Sequence, residues 1–211
     1  MSVISLKDIT KKYGDNVIFE KFNLKVEQGD FIAIMGPSGK GKSTLLNIIG
    51  LLEEFDFGSL EIYDVKNPKF YTKAGIKLLR EKISYLFQNF GLVEDKTVEY
   101  NINIATKFIR SRKQDIEKQK KEVFKKLGLE GYEKRKIYQL SGGEQQRIAL
   151  ARILLKPSEI ILADEPTGSL DEENKHIVMK MISDLNKEGK TIIIVTHDME
   201  VAKCCSKIIN I

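Results

Sequence analysis

The segment Gly36-Pro37-Ser38-Gly39-Lys40-Gly41-Lys42-Ser43-Thr44 constrains this chain more than any other. It follows a short continuous apolar run, Phe31 to Met35, and leads into an apolar stretch, Ser43 to Ile49. The run reads as a strand buried on both faces, the stretch as a helix. A glycine-rich loop between strand and helix in the pattern G-x-x-x-x-G-K-[ST] is a phosphate-binding loop, and this context argues against a glycine-rich turn with an incidental lysine. Glycines let the backbone wrap closely, so that several N–H groups converge on one anion. The helix N-terminus adds a favourable dipole. Gly36, Ser38, Gly39, Lys40, Gly41 and Thr44 are expected to belong to this nucleotide site. Lys42 is expected to neutralise the β- and γ-phosphates, and the Ser43 hydroxyl to bind Mg²⁺.

Two further segments carry chemistry. Ile160-Ile161-Leu162-Ala163-Asp164-Glu165 is an apolar strand that delivers acids at its C-terminal end, the rim where such sheets bind ligands. Asp164 is the natural partner of Mg²⁺, which leaves Glu165 free to orient or deprotonate an attacking water. Alone, the pair would read equally as an exposed acidic strand end. Leu140-Ser141-Gly142-Gly143-Glu144-Gln145-Gln146-Arg147 is a helix start: Ser141 can cap, and Glu144 completes a capping box. A hydroxyl and two glycines at a helix N-terminus also form an anion site, although the segment by itself does not establish one.

With 211 residues the chain has room for one sizeable core. Apolar residues make up 42% and charged residues 31%, ordinary for a globular protein, and no apolar run approaches the roughly 20 residues of a membrane span. Met1 to Asp8 does not read as a secretory signal. The expected location is cytoplasmic, with membrane contact only through a partner. The net charge of +5 arises from bases interleaved with acids, as in Arg112, Lys113, Asp115, Glu117 and Lys118, which describes a solvated helix face rather than a nucleic-acid patch. The two cysteines, Cys204 and Cys205, are adjacent and are expected to be half-buried and reduced. His176 lies among charged residues and receives no role.

Val3 to Ile9 and Phe22 to Val26 read as a strand pair joined by the turn Tyr13-Gly14-Asp15-Asn16. Leu60 and Ile62 suggest another strand, and Ile83 to Phe87 a further buried one. Residues from about Asn89 to Leu155 read mostly as helix, with Ile116, Val123, Phe124 and Leu127 on one face of a helix ended by Gly128. Glu159 to Asp164, Thr191 to Thr196 and Lys207 to Ile211 read as strands, separated by a helix whose apolar face runs from Ile177 to Leu185. The expected architecture is α/β: a parallel-sheet core with an antiparallel start and a helical insertion.

In this setting Leu140 to Arg147 resembles the signature motif of the ABC ATPase family. Gly36 to Ser43 resembles its Walker A loop, Asp164 and Glu165 its Walker B acid and catalytic glutamate, and Ser169-Leu170-Asp171 its D-loop. Gln88 sits where the family's Q-loop glutamine belongs, His197 resembles the H-loop histidine, and Tyr13 resembles the aromatic that stacks on adenine. The resemblance covers essentially the whole chain, residues 1–211. It implies a P-loop NTPase (RecA-like) core with an N-terminal antiparallel β subdomain and a helical subdomain inserted at about 89–155. It also implies ATP and Mg²⁺ as ligands, with Gln88 sensing the metal and His197 contacting the γ-phosphate. Two copies would form a head-to-tail homodimer, so that Ser141, Gly142 and Gly143 contact the γ-phosphate of the ATP held by the partner, while Asp171 of the D-loop is expected to belong to the nucleotide site.

Leu45 to Gly50, Phe87 to Leu92 and Asp164 to Asp171 resemble, more narrowly, the bacterial ATPases of lipoprotein-release, macrolide-export, bacteriocin-export and peptide-resistance systems. The end at Ile211 and the absence of an acidic loop at Glu133 to Gln139 favour a separate subunit acting on an integral membrane permease. Two other roles stand beside that one: an ABC ATPase that pulls on a membrane partner in cell division or signalling, and a soluble ABC protein of DNA repair or translation. One compact domain without long insertions speaks against the last. In the family the region behind the Q-loop receives a cytoplasmic helix of the transmembrane subunit. Phe87, Phe90 and Leu92 are accordingly expected to offer an apolar docking surface, the alternative being that Phe90 and Leu92 simply pack inside the helical insertion.

Overall fold

The computed structural model describes residues 1–168 and 170–211. Strands β1 (Ser2–Tyr13) and β2 (Asn16–Glu27) form an antiparallel hairpin, closed where Tyr13 pairs with Asn16. Strand β3 (Phe31–Met35) leads through the glycine-rich loop into helix α1 (Lys42–Ile49). Strands β4 (Phe57–Ile62) and β5 (Val65–Lys66) then extend the hairpin into an antiparallel sheet of order β2-β1-β4-β5. Helix α2 (Lys73–Glu81) precedes strand β6 (Ile83–Leu86).

The helical region follows: α3 (Val98–Thr106), α4 (Lys113–Leu127), a 3₁₀ turn at Ile137–Gln139 and α5 (Gly142–Leu155). Gly128 ends α4 in the left-handed conformation. The chain returns through β7 (Ile160–Asp164), α6 (Glu172–Lys187), β8 (Thr191–Val195), α7 (Met199–Lys203) and β9 (Lys207–Asn210). The second sheet runs β6-β7-β8-β3-β9, and every pairing in it is parallel.

The apolar runs are continuous because both faces of this sheet are covered. Ile193 and Val195 of β8 pack with Leu45, Leu46 and Ile49 of α1 in one core. Ile192 and Ile194 pack with Val178, Ile182 and Leu185 of α6 in the other. The helical region has a third core, built from Val98, Ile102, Phe124, Leu127 and Ile137. Helix α5 belongs to two cores: Leu150 and Ile153 face the sheet, while Ile148, Ala151 and Leu155 face the helical region. A helix apolar on both sides is a rigid link, so a shift of α5 moves both bodies.

Several boundaries and surfaces differ from expectation. Strand β6 stops at Leu86, so Phe87 already belongs to the turn. Cys205 is half-buried, but Cys204, at the C-terminal end of the short α7, is exposed. Phe90 and Leu92 are half-buried: Phe90 packs on the core beneath α6 and Leu92 on the helical core. Phe87 stacks on Tyr85 with ring centroids 4.2 Å apart. Positive φ at Phe90 (63°) and Gly91 (60°) curls this turn back on itself, which aims the apolar side chains inward. Among the described residues no helix is long and apolar enough to cross a membrane.

Candidate nucleotide site

The loop after β3, the acids after β7, His197 after β8 and Gln88 after β6 all lie at the carboxyl edge of the parallel sheet. Open sheets of this kind bind ligands at that edge. Gly41 enters α1 with φ 84°, and a side chain there would collide with Ile18 and Phe19. At Gly36 a side chain would run into the Ile211 carbonyl, so Ile211 packs directly against the loop. The Lys42 ammonium donates to the carbonyls of Gly36 (2.8 Å) and Pro37 (2.9 Å), which centres its charge within the loop. Ser38, Gly39 and Lys40 are exposed and Thr44 is half-buried.

The two acids divide their partners. Ser43 Oγ donates to Asp164 Oδ1 at 3.0 Å. Burial, the largest influence, pushes the Asp164 carboxyl above its ordinary pKa; the Ser43 hydrogen bond pulls it back and the neighbouring Glu165 charge adds to the rise. Glu165 turns the other way, with Oε1 2.8 Å from His197 Nδ1 and Oε2 accepting from Thr196 at 3.4 Å. Its φ of 44° is rare for a residue with a side chain, and such strain clusters at functional sites. Gln88 is exposed and, among the described residues, makes no hydrogen bond to Ser43 or Asp164.

The capping box at Ser141 forms as the sequence suggests. Glu144 N–H donates to Ser141 Oγ (3.3 Å), and Ser141 N–H donates to Glu144 Oε2 (2.7 Å). Tyr132 also donates to Glu144, and this bond leads the causes that lower its pKa. Ser141 and Gly142 are exposed, and among the described residues no hydrogen bond joins them to the loop at Gly36 to Thr44. Asp171 caps α6 by accepting from Asn174 N–H (2.8 Å), and Arg147 donates to the Asn174 side chain (2.8 Å). Arg147 and Asn174 thus tie the segment before α6 to the start of α5, a link that local sequence patterns do not signal. Ser169 lies outside the described residues.

The family model described as ABC transporter matches residues 19–168. The chain belongs to the ABC transporter family. It is an ATPase of that family, close to the macrolide-export and lipoprotein-release branch. The macrolide export ATP-binding/permease protein MacB of Mannheimia succiniciproducens is 39% identical over 216 residues, covering 100% of this chain and 33% of that protein. The chain therefore spans about a third of the MacB proteins it matches. The uncharacterised ABC transporter ATP-binding protein MJ0796 of Methanocaldococcus jannaschii is 40% identical, covering 98% of this chain and 92% of the relative. A dimeric structure of that cassette in a post-hydrolysis state, bound to ADP and Pi, superposes with a TM-score of 0.88 at 37% identity, over 99% of this chain and 94% of that one.

The ABC resemblance assigns Tyr13 to adenine, and the structure adds two residues that sequence reasoning missed. The Tyr13 hydroxyl donates to Glu53, Lys11 lies 4.7 Å from the ring centroid, and Lys11 pairs with Glu53 at 3.0 Å. Burial, then the Glu53 bond, raises the Tyr13 pKa, and Thr44 at the start of α1 acts in the opposite sense. The ring is half exposed beside the phosphate loop, fixed at its hydroxyl and by its cation.

Proposed function

We propose that the chain is the ATP-hydrolysing motor of a separately encoded membrane permease, working as a head-to-tail pair that encloses two ATP molecules. The arrangement that carries this reading is the loop at Gly36 to Thr44 facing the Ser43–Asp164 pair, with Glu165 held in a strained conformation beside it. Lys42 exchanges its two loop carbonyls for phosphate oxygens. A hydroxyl and a carboxylate 3.0 Å apart are the hard oxygen donors that Mg²⁺ takes, so Ser43 and Asp164 fit that ion, with Gln88 reaching it from the β6 edge. When bound, Mg²⁺ would supply charge neutralisation for the phosphates.

Glu165 orients the attacking water and accepts its proton, and His197 positions the Glu165 carboxylate and approaches the γ-phosphate. Ser141, Gly142 and Gly143, which among the described residues do not bond their own loop, present a helix N-terminus to the ATP held by the partner copy. Asp171 connects that start to α6 through Asn174. Tyr13 stacks on adenine. Tyr13→Ala is expected to weaken ATP binding about fivefold while leaving kcat nearly unchanged, since stacking on a base contributes about 1–3 kcal/mol. Equilibrium titration with a fluorescent ATP analogue checks this, and unchanged affinity removes Tyr13 from the site.

The permease docks in the cleft between α2, α3 and the end of α5. Leu79 and Ile153 lie inside it and Phe108 is exposed at its rim. The chain then sits on the cytoplasmic face of the membrane without entering it. Likeness to the MacB proteins supports export of a drug, peptide, bacteriocin or lipid-linked substrate. The test is reconstitution in vesicles with the multi-span protein encoded beside it. ATP hydrolysis is expected to rise when the membrane protein is present and to drive substrate flux. Stimulated hydrolysis without flux of any substrate class favours a motor that pulls on a membrane partner.

A further inference from the structure

Glu165 leaves β7 with φ 44°, and the end of β8 holds it at three points. Its backbone N–H donates to the Val195 carbonyl at 2.9 Å, continuing the ladder in which Asp164 faces Val195. Its Oε1 meets His197 Nδ1, and its Oε2 accepts from the Thr196 hydroxyl. The two side-chain partners differ in exposure. The His197 side chain is 74% exposed, whereas Thr196 is fully buried. In the proposed mechanism the exposed ring also approaches the γ-phosphate, so it cannot be the fixed support of the carboxylate. The buried hydroxyl can.

Thr196 is itself fixed from several sides. Its backbone N–H donates at 3.2 Å to the Ile34 carbonyl of β3, the strand that feeds the phosphate loop. Its Oγ1 accepts the Asp198 N–H at 3.0 Å. A hydroxyl carries one hydrogen, and with the Asp198 N–H occupying an acceptor site that hydrogen is left for Glu165 Oε2. Asp198 is held in turn: its carboxylate caps α7 through the Glu200 N–H at 2.8 Å and pairs with Lys175 of α6 at 3.1 Å. The turn from Thr196 to Asp198 is thereby braced between β3, α6 and α7. The distance from Thr196 to Glu165 is 3.4 Å. That is long beside the roughly 2.7–2.8 Å usual for O–H···O bonds. Hydrogen bonds of catalytic groups often stand long before substrate binds and tighten when it closes the site.

We infer that Thr196 is the positioning residue of the general base: its hydroxyl holds Glu165 Oε2, which leaves Oε1 free to receive the proton of the attacking water once His197 has turned to the phosphate. This rests on the reading of Glu165 as the base and adds the group that fixes its carboxylate. Thr196 touches no reacting atom and acts through Glu165. A small misplacement of a reacting group is enough to slow a reaction severely, so the hydroxyl matters for rate. ATP itself meets Lys42 and the loop rather than Thr196, so affinity is spared.

Steady-state and single-turnover ATPase of the purified chain test this, with ATP affinity and melting temperature measured in parallel to separate lost rate from lost folded protein. Thr196→Val replaces the hydroxyl by a methyl group in a side chain of similar shape. It is expected to lower kcat about tenfold or more, the effect of losing one hydrogen bond to a charged group, while KM and ATP affinity stay within about twofold. Thr196→Ser keeps the donor and is expected to stay within about twofold of the parental kcat. In the Glu165→Gln background no carboxylate is left to position, so Thr196→Val should cost less than about twofold more. A parental kcat in Thr196→Val, or the same loss in both backgrounds, overturns the inference, while a slow Glu165→Gln chain leaves the base reading standing. Parental turnover by Glu165→Gln removes the base reading and this inference with it. Should Thr196→Val not fold, Thr196→Ala set against Thr196→Ser carries the same contrast.

Discussion

Glu165→Gln is expected to bind ATP as the parent does and to hydrolyse it roughly 10²–10⁴-fold more slowly, the usual effect of removing a positioned general base. The substitution is close to isosteric. A glutamine can keep the bonds to His197 and Thr196, and the backbone at φ 44° is already paid for by the surrounding turn. What changes is the proton acceptor. Losing the charge also removes repulsion between a carboxylate and the γ-phosphate, so Mg-ATP should hold two copies together. Single-turnover hydrolysis and sizing chromatography with Mg-ATP read the two effects separately. Turnover at the parental rate, or a monomer at high protein concentration with saturating ATP, would remove Glu165 from the role of base.

Much of this site is legible in the sequence because its chemistry is local. Glycines at fixed spacing between a strand and a helix dictate the loop around Lys42. The spacing of Ser141 and Glu144 dictates the capping box that the structure forms. Continuous apolar runs mark strands covered on both faces, as β3 and β8 are. Helices α2 and α7 are harder to read. Both are short, and only Gly75 and Leu78 are buried in α2 and only Val201 and Ala202 in α7, so each offers a sequence pattern only a few apolar positions. Pairings distant in the chain are invisible locally: Lys11 with Glu53 and Arg147 with Asn174. Phe90 misleads for a backbone reason. An aromatic beside a glycine looks like a surface anchor until its positive φ turns it toward the core.

Lys42→Ala and Ser141→Arg are expected to stop hydrolysis by different routes. Lys42 lies in its own loop, so its loss should weaken ATP binding roughly 10²-fold, as expected when one partner of a desolvated charge contact is removed. Among the described residues Ser141 makes no bond to that loop, and it stands exposed at the start of α5. A single Ser141→Arg chain should therefore bind ATP within about twofold of the parent, while turnover falls roughly 10²-fold or more because donors aimed at the partner's γ-phosphate are obstructed. Loss of the cap costs about 1 kcal/mol on its own. Ser141→Ala, which loses the cap without adding bulk, isolates that contribution in a denaturation curve. Mixing the two variants sharpens the result. A Lys42→Ala chain paired with a Ser141→Arg chain has one composite site carrying both defects and one carrying neither, so the mixture should regain ATPase that neither variant shows alone. Equilibrium titration and mixed-dimer ATPase settle the matter: if Ser141→Arg loses ATP binding as severely as Lys42→Ala, the signature segment serves its own nucleotide and the shared site is wrong.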